Sequence, residues 1–478
     1  MARDLRTFLR LLEEHYPDEL VRVPREVDPA NFEVTAILQH LENRQRYPLV
    51  LFERPRTLHG TVSPFPLISN VYATRERCAI ALGLAPSQAR LELSLEYARR
   101  EARLLEPVVV ERTAAPVKEW VRRGADCDLR DLPIVRHHAM DPAPYIDMAV
   151  AMRDPDSGAY NLAFLRTMYQ GPRRLGLHMS PRHNWQIARQ HERRGEPTPC
   201  ALIVSHHPAF FIGALNVGPF GRDDYAVAGS LMDEPLRLVP SETWGDRFLV
   251  PADADLVIEG EVPPGVREVE GPFGEFTGYY GPQRLRWVID VTAMTGRHDA
   301  IYQDIFVGHR DVWTLGSFPK EGSLYNRIKG VVPGVRGVHL PLSGTGRYHC
   351  YISIDKRVEG ESNQAALIAI GECDFLKHVV VVDADIDPYD EEQVLWAVAT
   401  RVQADRDVNV IRHCKGNTLD PSQEDDVMSA KMIIDATKPL HRPFEERVRV
   451  PEEALARIDL DAYLALAARP TSVGTERA

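Results

Sequence analysis

Glu270-Gly271-Pro272-Phe273-Gly274-Glu275-Phe276-Thr277-Gly278-Tyr279-Tyr280 is the stretch around which the rest of the chain is organised. It holds two carboxylates five residues apart. On a straight strand that spacing points them to opposite faces. Pro272 presets a bend, and Gly271 and Gly274 permit positive φ, so the alternation breaks and the two acids can fold back toward one point. Two carboxylates at one point do not both ionise cheaply, and one that keeps its proton near neutrality is equipped as a general acid. On spacing alone, a surface turn with two solvated glutamates is the more ordinary reading. Partners elsewhere in the chain decide between the two.

The chain has 478 residues, enough for two to four domains with their own cores. Apolar residues make up 44% and charged residues 26%, the balance of a globular protein. The net charge of −12, from 69 acidic and 57 basic residues, argues against non-specific nucleic-acid binding. A local basic cleft for an anion is compatible with it. Cys78, Cys127, Cys200, Cys350, Cys373 and Cys414 are scattered singly, which fits neither a disulfide framework nor a zinc site and suits reduced thiols in a cytoplasmic enzyme. The charged start of the chain is no signal peptide, and no run of about twenty apolar residues announces a membrane span.

The opening residues read as a small α/β layer. Leu5, Phe8, Leu9 and Leu12 form a helical stripe over 3–16, a second helix falls near 32–44, Leu49-Val50-Leu51-Phe52 is a short buried strand, and 75–82 and 86–103 are helical. From about Pro107 prolines and turns multiply. Strands are expected over 149–152, 161–168, 201–205, 255–262 and 287–295, with one inserted helix near 184–194, a pattern of barrel or sandwich. Beyond Gly308 strands and helices alternate (338–342, 350–354, 363–370, 379–383, 391–403), as in an α/β domain, and a last helix is expected over 451–468.

Three further stretches carry polar residues where chemistry needs them. Asn161 and Arg166 interrupt an apolar strand, and a guanidinium fork there can hold a carboxylate or phosphate. His183, in Ser180-Pro181-Arg182-His183-Asn184-Trp185, stands at a helix start, where it can be a metal ligand, an anion contact or a satisfied polar residue. Glu234 follows an apolar run with Asp233. In isolation that pair is a solvated turn, and the alternative is a hard oxygen ligand. Asn, His and Glu together would suit Mn²⁺ or Mg²⁺ and a bound phosphate. Asp223 and Asp224 read as turn residues. Ser205-His206-His207 is discounted as a nucleophile–base pair because adjacent strand residues face apart, and there is no dinucleotide fingerprint, phosphate loop or nucleophile elbow.

In this order, Asn161-x4-Arg166, Arg182-His183-x-Trp185, Ala228-Gly229 with Glu234-Pro235, the Glu270–Tyr280 stretch, and Val381-Val382-Asp383-Ala384-Asp385-Ile386-Asp387 followed by Val394-Leu395-Trp396-Ala397 resemble the UbiD family of decarboxylases over roughly residues 5–445. The resemblance implies an N-terminal α/β domain (1–106), a central flavin-binding split β-barrel (107–308), a linker helix (309–330), a C-terminal α/β oligomerisation domain (331–450) and a terminal helix and tail (451–478). It implies prenylated FMN held through Mn²⁺ (or Mg²⁺) and K⁺, with Asn161, His183 and Glu234 as metal ligands and Ala163, Leu165, Arg166 and Arg182 also at the cofactor. Arg166, Glu270 and Glu275 match the family's catalytic network, with Glu275 the proton donor. His309 and Leu315 fall where members line the substrate pocket. The implied activity is reversible, non-oxidative decarboxylation of an aromatic, heteroaromatic or α,β-unsaturated carboxylic acid through a covalent flavin adduct. The implied partners are a flavin prenyltransferase as cofactor supplier and a second copy of the chain, in a homodimer or a dimer-based hexamer. A plain FMN oxidoreductase and a subunit of a multi-component carboxylase are the alternatives. The intact Arg166, Glu270 and Glu275 argue against an inactive subunit.

Overall fold

Leu5, Phe8, Leu9 and Leu12 are all buried in the helix Leu5–His15, and with them begins a hydrophobic core that runs without a break to Phe318. A computed structural model describes residues 3–423 and 428–464. Residues up to Thr437 form one compact unit and Lys438 begins a second. The protein is a multi-domain α/β molecule. Its N-terminal sheet orders the strands Leu20–Val27, Leu49–Pro55, Leu67–Ser69 and Tyr302–Gln303, so the chain returns to this layer after building the central one.

The central sheet has ten strands. Its path runs through Tyr145–Ile146, Thr167–Gly171, Arg174–Leu177, Arg284–Gly296, Leu256–Val262, Thr198–Ser205, Ala149–Arg153 and Tyr160–Phe164, and Glu268–Glu270 and Trp120–Arg123 also pair with Arg284–Gly296. The path is open: among the described residues no ladder joins its two ends, so there is no closed barrel. The ends are nevertheless neighbours. The chain passes from one end to the other twice, through the two-residue junctions Asp147-Met148 and Leu165-Arg166, and three residue steps span at most about 11 Å. Leu165 N donates to Met148 O at 3.3 Å across this seam. The single strand expected over 161–168 is thus two strands broken at Leu165-Arg166, because the chain changes ladder partner there.

The helix Arg310–Lys329 leads from the central layer to a five-stranded sheet ordered Val335–His339, His349–Ile354, His378–Asp383, Met428–Ala436, Val408–Lys415. Helices Glu361–Glu372 and Glu391–Arg401 pack on it, and its apolar residues form clusters separate from the main core. Beyond Thr437 the helix expected over 451–468 is two short ones, Glu452–Ala456 and Leu460–Tyr463, separated by a turn in which Ile458 N donates to Leu455 O; residues 465–468 lie outside the described residues. No helix among the described residues is long and apolar enough to cross a membrane. All six cysteines are free thiols.

Candidate active site

Glu270 ends the strand Glu268–Glu270, which pairs with Arg284–Arg286. Gly271 takes φ +82°, and the chain turns through Pro272 into the short ladder that pairs Phe273–Gly274 with Tyr280–Gly281. Glu275 N donates to Tyr279 O at 2.9 Å, closing the loop that carries the second acid. The bend therefore does what the Gly-Pro-Phe-Gly spacing suggests. The solvated surface turn is overturned, since Glu270 is 0% and Glu275 7% exposed.

Arg166 stands at the seam of the central sheet and holds both acids. Its Nη2 donates to Glu270 Oε2 at 2.7 Å and its Nη1 to Glu275 Oε1. Tyr145 Oη donates to the other Glu270 oxygen at 3.3 Å, so Glu270 is anchored from two sides. The guanidinium lies 5.0 Å from the centre of the Phe273 ring, and its Nε is buried with no partner among the described residues. An added Cβ at Gly281 would stand 3.0 Å from Glu275 Oε1, so the absence of a side chain there gives the acid its room. Burial raises the Glu275 carboxyl to about 7; Arg166 opposes the rise, and Glu270 and Asp147 reinforce it.

The cluster opens on a cavity of about 640 Å³. Asn161, Ala163, Leu165, Arg166, Arg182, His183, Glu275 and Leu315 line it. Asn161, on the strand Tyr160–Phe164, sets its Oδ1 3.1 Å from Nδ1 of His183, the first residue of the helix His183–Arg193. Burial and then Arg182 hold His183 below the ordinary imidazole value, which favours the neutral, metal-ligating form.

Glu234 is not brought to this place. Its Oε1 accepts from Arg3 N at 2.7 Å, it does not line the cavity, and neighbouring Asp233 pairs with Arg103 at the surface. The reason is the helix Asp224–Met232. At 1.5 Å per residue its ends lie about 13 Å apart, and Glu234 follows the far end. The near end carries Asp223 and Asp224, which were read as turn residues. Asp223 Oδ2 accepts Tyr160 N at 3.0 Å and Asp224 Oδ2 accepts Leu162 N at 2.8 Å, so the two acids clamp the strand on either side of Asn161. Asp224 is 3% exposed, and burial pushes its carboxyl up to about 7. The structure therefore sets Asp224, rather than Glu234, against the strand that carries Asn161. A signal was present in the sequence: Asp224 opens a helix apolar all round, and such a helix is buried on every face.

His309 is likewise displaced from the role expected of it. It precedes the helix Arg310–Lys329, its Nδ1 lies 2.7 Å from Glu42 Oε2, and its ring stacks on Phe306 at 3.7 Å rather than lining the cavity. His206 and His207 are buried, and His207 Nδ1 accepts Ala209 N at the head of a short helix, so the discounted Ser-His-His run is structural. Four ionisable residues of the cavity wall carry no sequence signal of that place: Asp147 stands on the other seam junction, His178 is held neutral with both ring nitrogens unpartnered among the described residues, and Lys320 and Arg347 stand on the C-terminal wall.

Family models match residues 10–96, 108–310 and 313–436 as the N-terminal, Rift-related and C-terminal domains of 3-octaprenyl-4-hydroxybenzoate carboxy-lyase. The anhydromevalonate phosphate decarboxylase of Methanothermobacter thermautotrophicus is 34% identical over 396 residues, 82% of this chain and 90% of that one. The chain belongs to the UbiD family. A second UbiD relative, the phenolic acid decarboxylase of Sedimentibacter hydroxybenzoicus, is 32% identical over 456 residues, 92% of each chain. The UbiD-class enzyme HmfF of Pelotomaculum thermopropionicum, solved in complex with FMN, superposes with a TM-score of 0.87 at 40% identity, covering 97% of this chain and 100% of that one. An evolved dimeric form of HmfF, solved with prFMN, gives a TM-score of 0.85 at 38% identity with the same coverage. As a UbiD-class protein with decarboxylase relatives, the chain is a carboxy-lyase.

Proposed function

We propose that the protein catalyses reversible, non-oxidative decarboxylation of an aromatic, heteroaromatic or α,β-unsaturated carboxylic acid with prenylated FMN. The observation that carries this reading is one buried arginine holding two glutamates at the wall of a ligand-sized cavity. Relatives named as phenolic acid and anhydromevalonate phosphate decarboxylases, and HmfF with FMN or prFMN, support it.

The residues fit the cofactor. Among the described residues Arg166 keeps a buried Nε donor unspent and His178 two unpartnered ring nitrogens, polar atoms that a flavin in the cavity can satisfy. Asn161, His183 and Asp224 offer oxygen, nitrogen and oxygen donors, a set suited to Mn²⁺ or Mg²⁺ at a phosphate. The buried Asp224 carboxylate has no ion-pair partner among the described residues, so a divalent cation would offset its burial. We assign these three as the metal ligands. Bound prenylated flavin supplies the electron sink that lets carbon dioxide leave.

The chain's own part is positioning and proton transfer. Arg166 and Tyr145 fix Glu270, and Arg166 in turn aims Glu275. Burial beside Glu270 and Asp147 raises Glu275 to about 7, so that its protonated form is well populated near neutrality, and that form delivers its proton to the carbon that has lost its carboxyl. Phe273, Phe276 and Phe375 line the space and keep it poor in water. The test is Glu275→Gln in enzyme loaded with prenylated flavin. Carbon dioxide release should fall by about 10²–10⁴-fold, while flavin absorbance per chain stays at the wild-type level. Full turnover by this variant would remove Glu275 as the donor. The mass and absorbance of the bound cofactor separate this reading from a plain FMN oxidoreductase.

A further inference from the structure

Two cations of the cavity wall form no ion pair among the described residues. Arg166 is paired with Glu270 and Glu275, and Arg182 lies 3.4 Å from Asp374. Lys320 and Arg347 also line the cavity, but neither forms an ion pair among the described residues. Lys320 Nζ donates to Gly316 O at 2.9 Å. Arg347 Nη1 reaches the carbonyls of Val312 at 3.4 Å and Thr345 at 3.3 Å.

The backbone is shaped to bring these two together. Lys320 and Gly316 are one turn apart on the helix Arg310–Lys329. A Cβ at Gly316 would stand 2.3 Å from Arg347 Nη1, so only a residue without a side chain lets the guanidinium settle there. The surroundings are aromatic. Arg347 Cζ is 4.4 Å from the Phe276 ring centre, Lys320 Nζ is 6.0 Å from that of Phe375, and the two rings are 6.1 Å apart. Unpaired charge against apolar walls is costly. Burial, joined by repulsion from Arg347, lowers Lys320 to about 8, and burial lowers Arg347 to about 10 against the opposing pull of Tyr348, Cys373 and Glu275. An anion between them would relieve both.

Given the decarboxylase reading above, we infer that Lys320 and Arg347 bind a second anionic group of the substrate, so that the substrate is an acid bearing a carboxylate or phosphate besides the carboxylate it loses. Their place on the reaction side of the cavity supports this. Phe276, on which Arg347 rests, directly follows Glu275. Arg347 provides planar donors and Lys320 a point charge, a pair that accepts either anion.

The test measures affinity and chemistry separately on enzyme carrying prenylated flavin. Benzoate, terephthalate and 4-phosphonobenzoate are titrated calorimetrically into wild type, Lys320→Met and Lys320→Arg, and flavin content is read from absorbance. Wild type should bind terephthalate or 4-phosphonobenzoate at least tenfold more tightly than benzoate. The better of the two identifies the anion. Lys320→Met should lose that preference and Lys320→Arg keep most of it, at equal flavin content. Equal affinities for all three acids in wild type would overturn the inference. So would loss of flavin from Lys320→Met, which would assign the cations to the cofactor phosphate. Release of carbon dioxide and hydrogen–deuterium exchange are followed on a wider panel of aryl and acrylic acids. Their complete absence would count against the decarboxylase reading, whatever the binding preference.

Discussion

Glu270 and Glu275 are chemically identical, and their surroundings give them different work. Glu270 accepts from Arg166 and Tyr145 and is fully enclosed. Glu275 shares the same arginine but lies beside a like charge and the open cavity, and its carboxyl rises to about 7. Activity that depends on the protonated form should hold below neutrality and fall about tenfold per pH unit above about 7. Glu270→Gln removes a like charge and frees Arg166 to act on Glu275, and both effects lower the proton affinity of Glu275. The alkaline limb of the pH–rate profile should therefore move to lower pH in this variant. A limb that stays in place would show that Glu270 does not set the acid strength of Glu275. The pairing of the two glutamates was legible in the Gly-Pro-Phe-Gly turn. Their burial was not, because exposure depends on what packs over the turn.

At the scale of elements, the helix Asp224–Met232 decides which carboxylates lie against the strand of Asn161. Its cap and first residue hold the strand at Asn161, and its far end carries Glu234 away to Arg3. Asp224→Asn should lower the bound Mn²⁺ per chain at least tenfold and weaken FMN binding, while Glu234→Gln leaves both near wild type; metal analysis and flavin fluorescence titration read the two. Metal loss from Glu234→Gln alone would restore the original assignment. The asparagine variant keeps the Leu162 N–H acceptor, so the fold is spared. Two acidic pairs flank one apolar helix, and composition does not tell which of them meets the strand of Asn161, whereas helix rise separates them. The break at Leu165-Arg166 has a similar origin: the apolar run is continuous in sequence, and only the change of ladder partner divides it.

Across the whole molecule, Glu321 of the helix Arg310–Lys329 ties the N-terminal layer to the C-terminal sheet. It is 0% exposed and accepts from Arg75 of the N-terminal layer at 3.0 and 2.9 Å, from Ser94 at 2.7 Å and from Leu340 N of the C-terminal sheet at 2.9 Å, and His339 Nδ1 lies 3.0 Å away. Burial alone would raise its carboxyl, but Arg75 and His339 outweigh it and depress the group to about 2. A depressed carboxyl stabilises the fold above its ordinary value of 4.5, and that contribution drains away as pH falls from there toward about 2. Glu321→Gln leaves Arg75 buried without its partner and should cost about 3–5 kcal/mol at neutral pH. The deficit should shrink in acid, read as converging thermal midpoints between pH 5 and 3. A constant gap would show that charge at Glu321 does not matter.

By itself the sequence determined the layer order, the family, and the identities of Arg166, Glu270, Glu275, Asn161 and His183 as candidates, because these rest on local spacing and on residue types that few other roles require. Only the tertiary structure decided that Asp224, rather than Glu234, meets the strand of Asn161, that His309 turns toward Glu42, and that Lys320 and Arg347 line the cavity with no ion pair among the described residues. It also decided that the two glutamates are buried and unequal. The physical reason is common to all of these. Proton affinity, ligation and charge balance depend on which atoms converge through space. In this chain they converge at a seam where residues far apart in sequence close on one cavity.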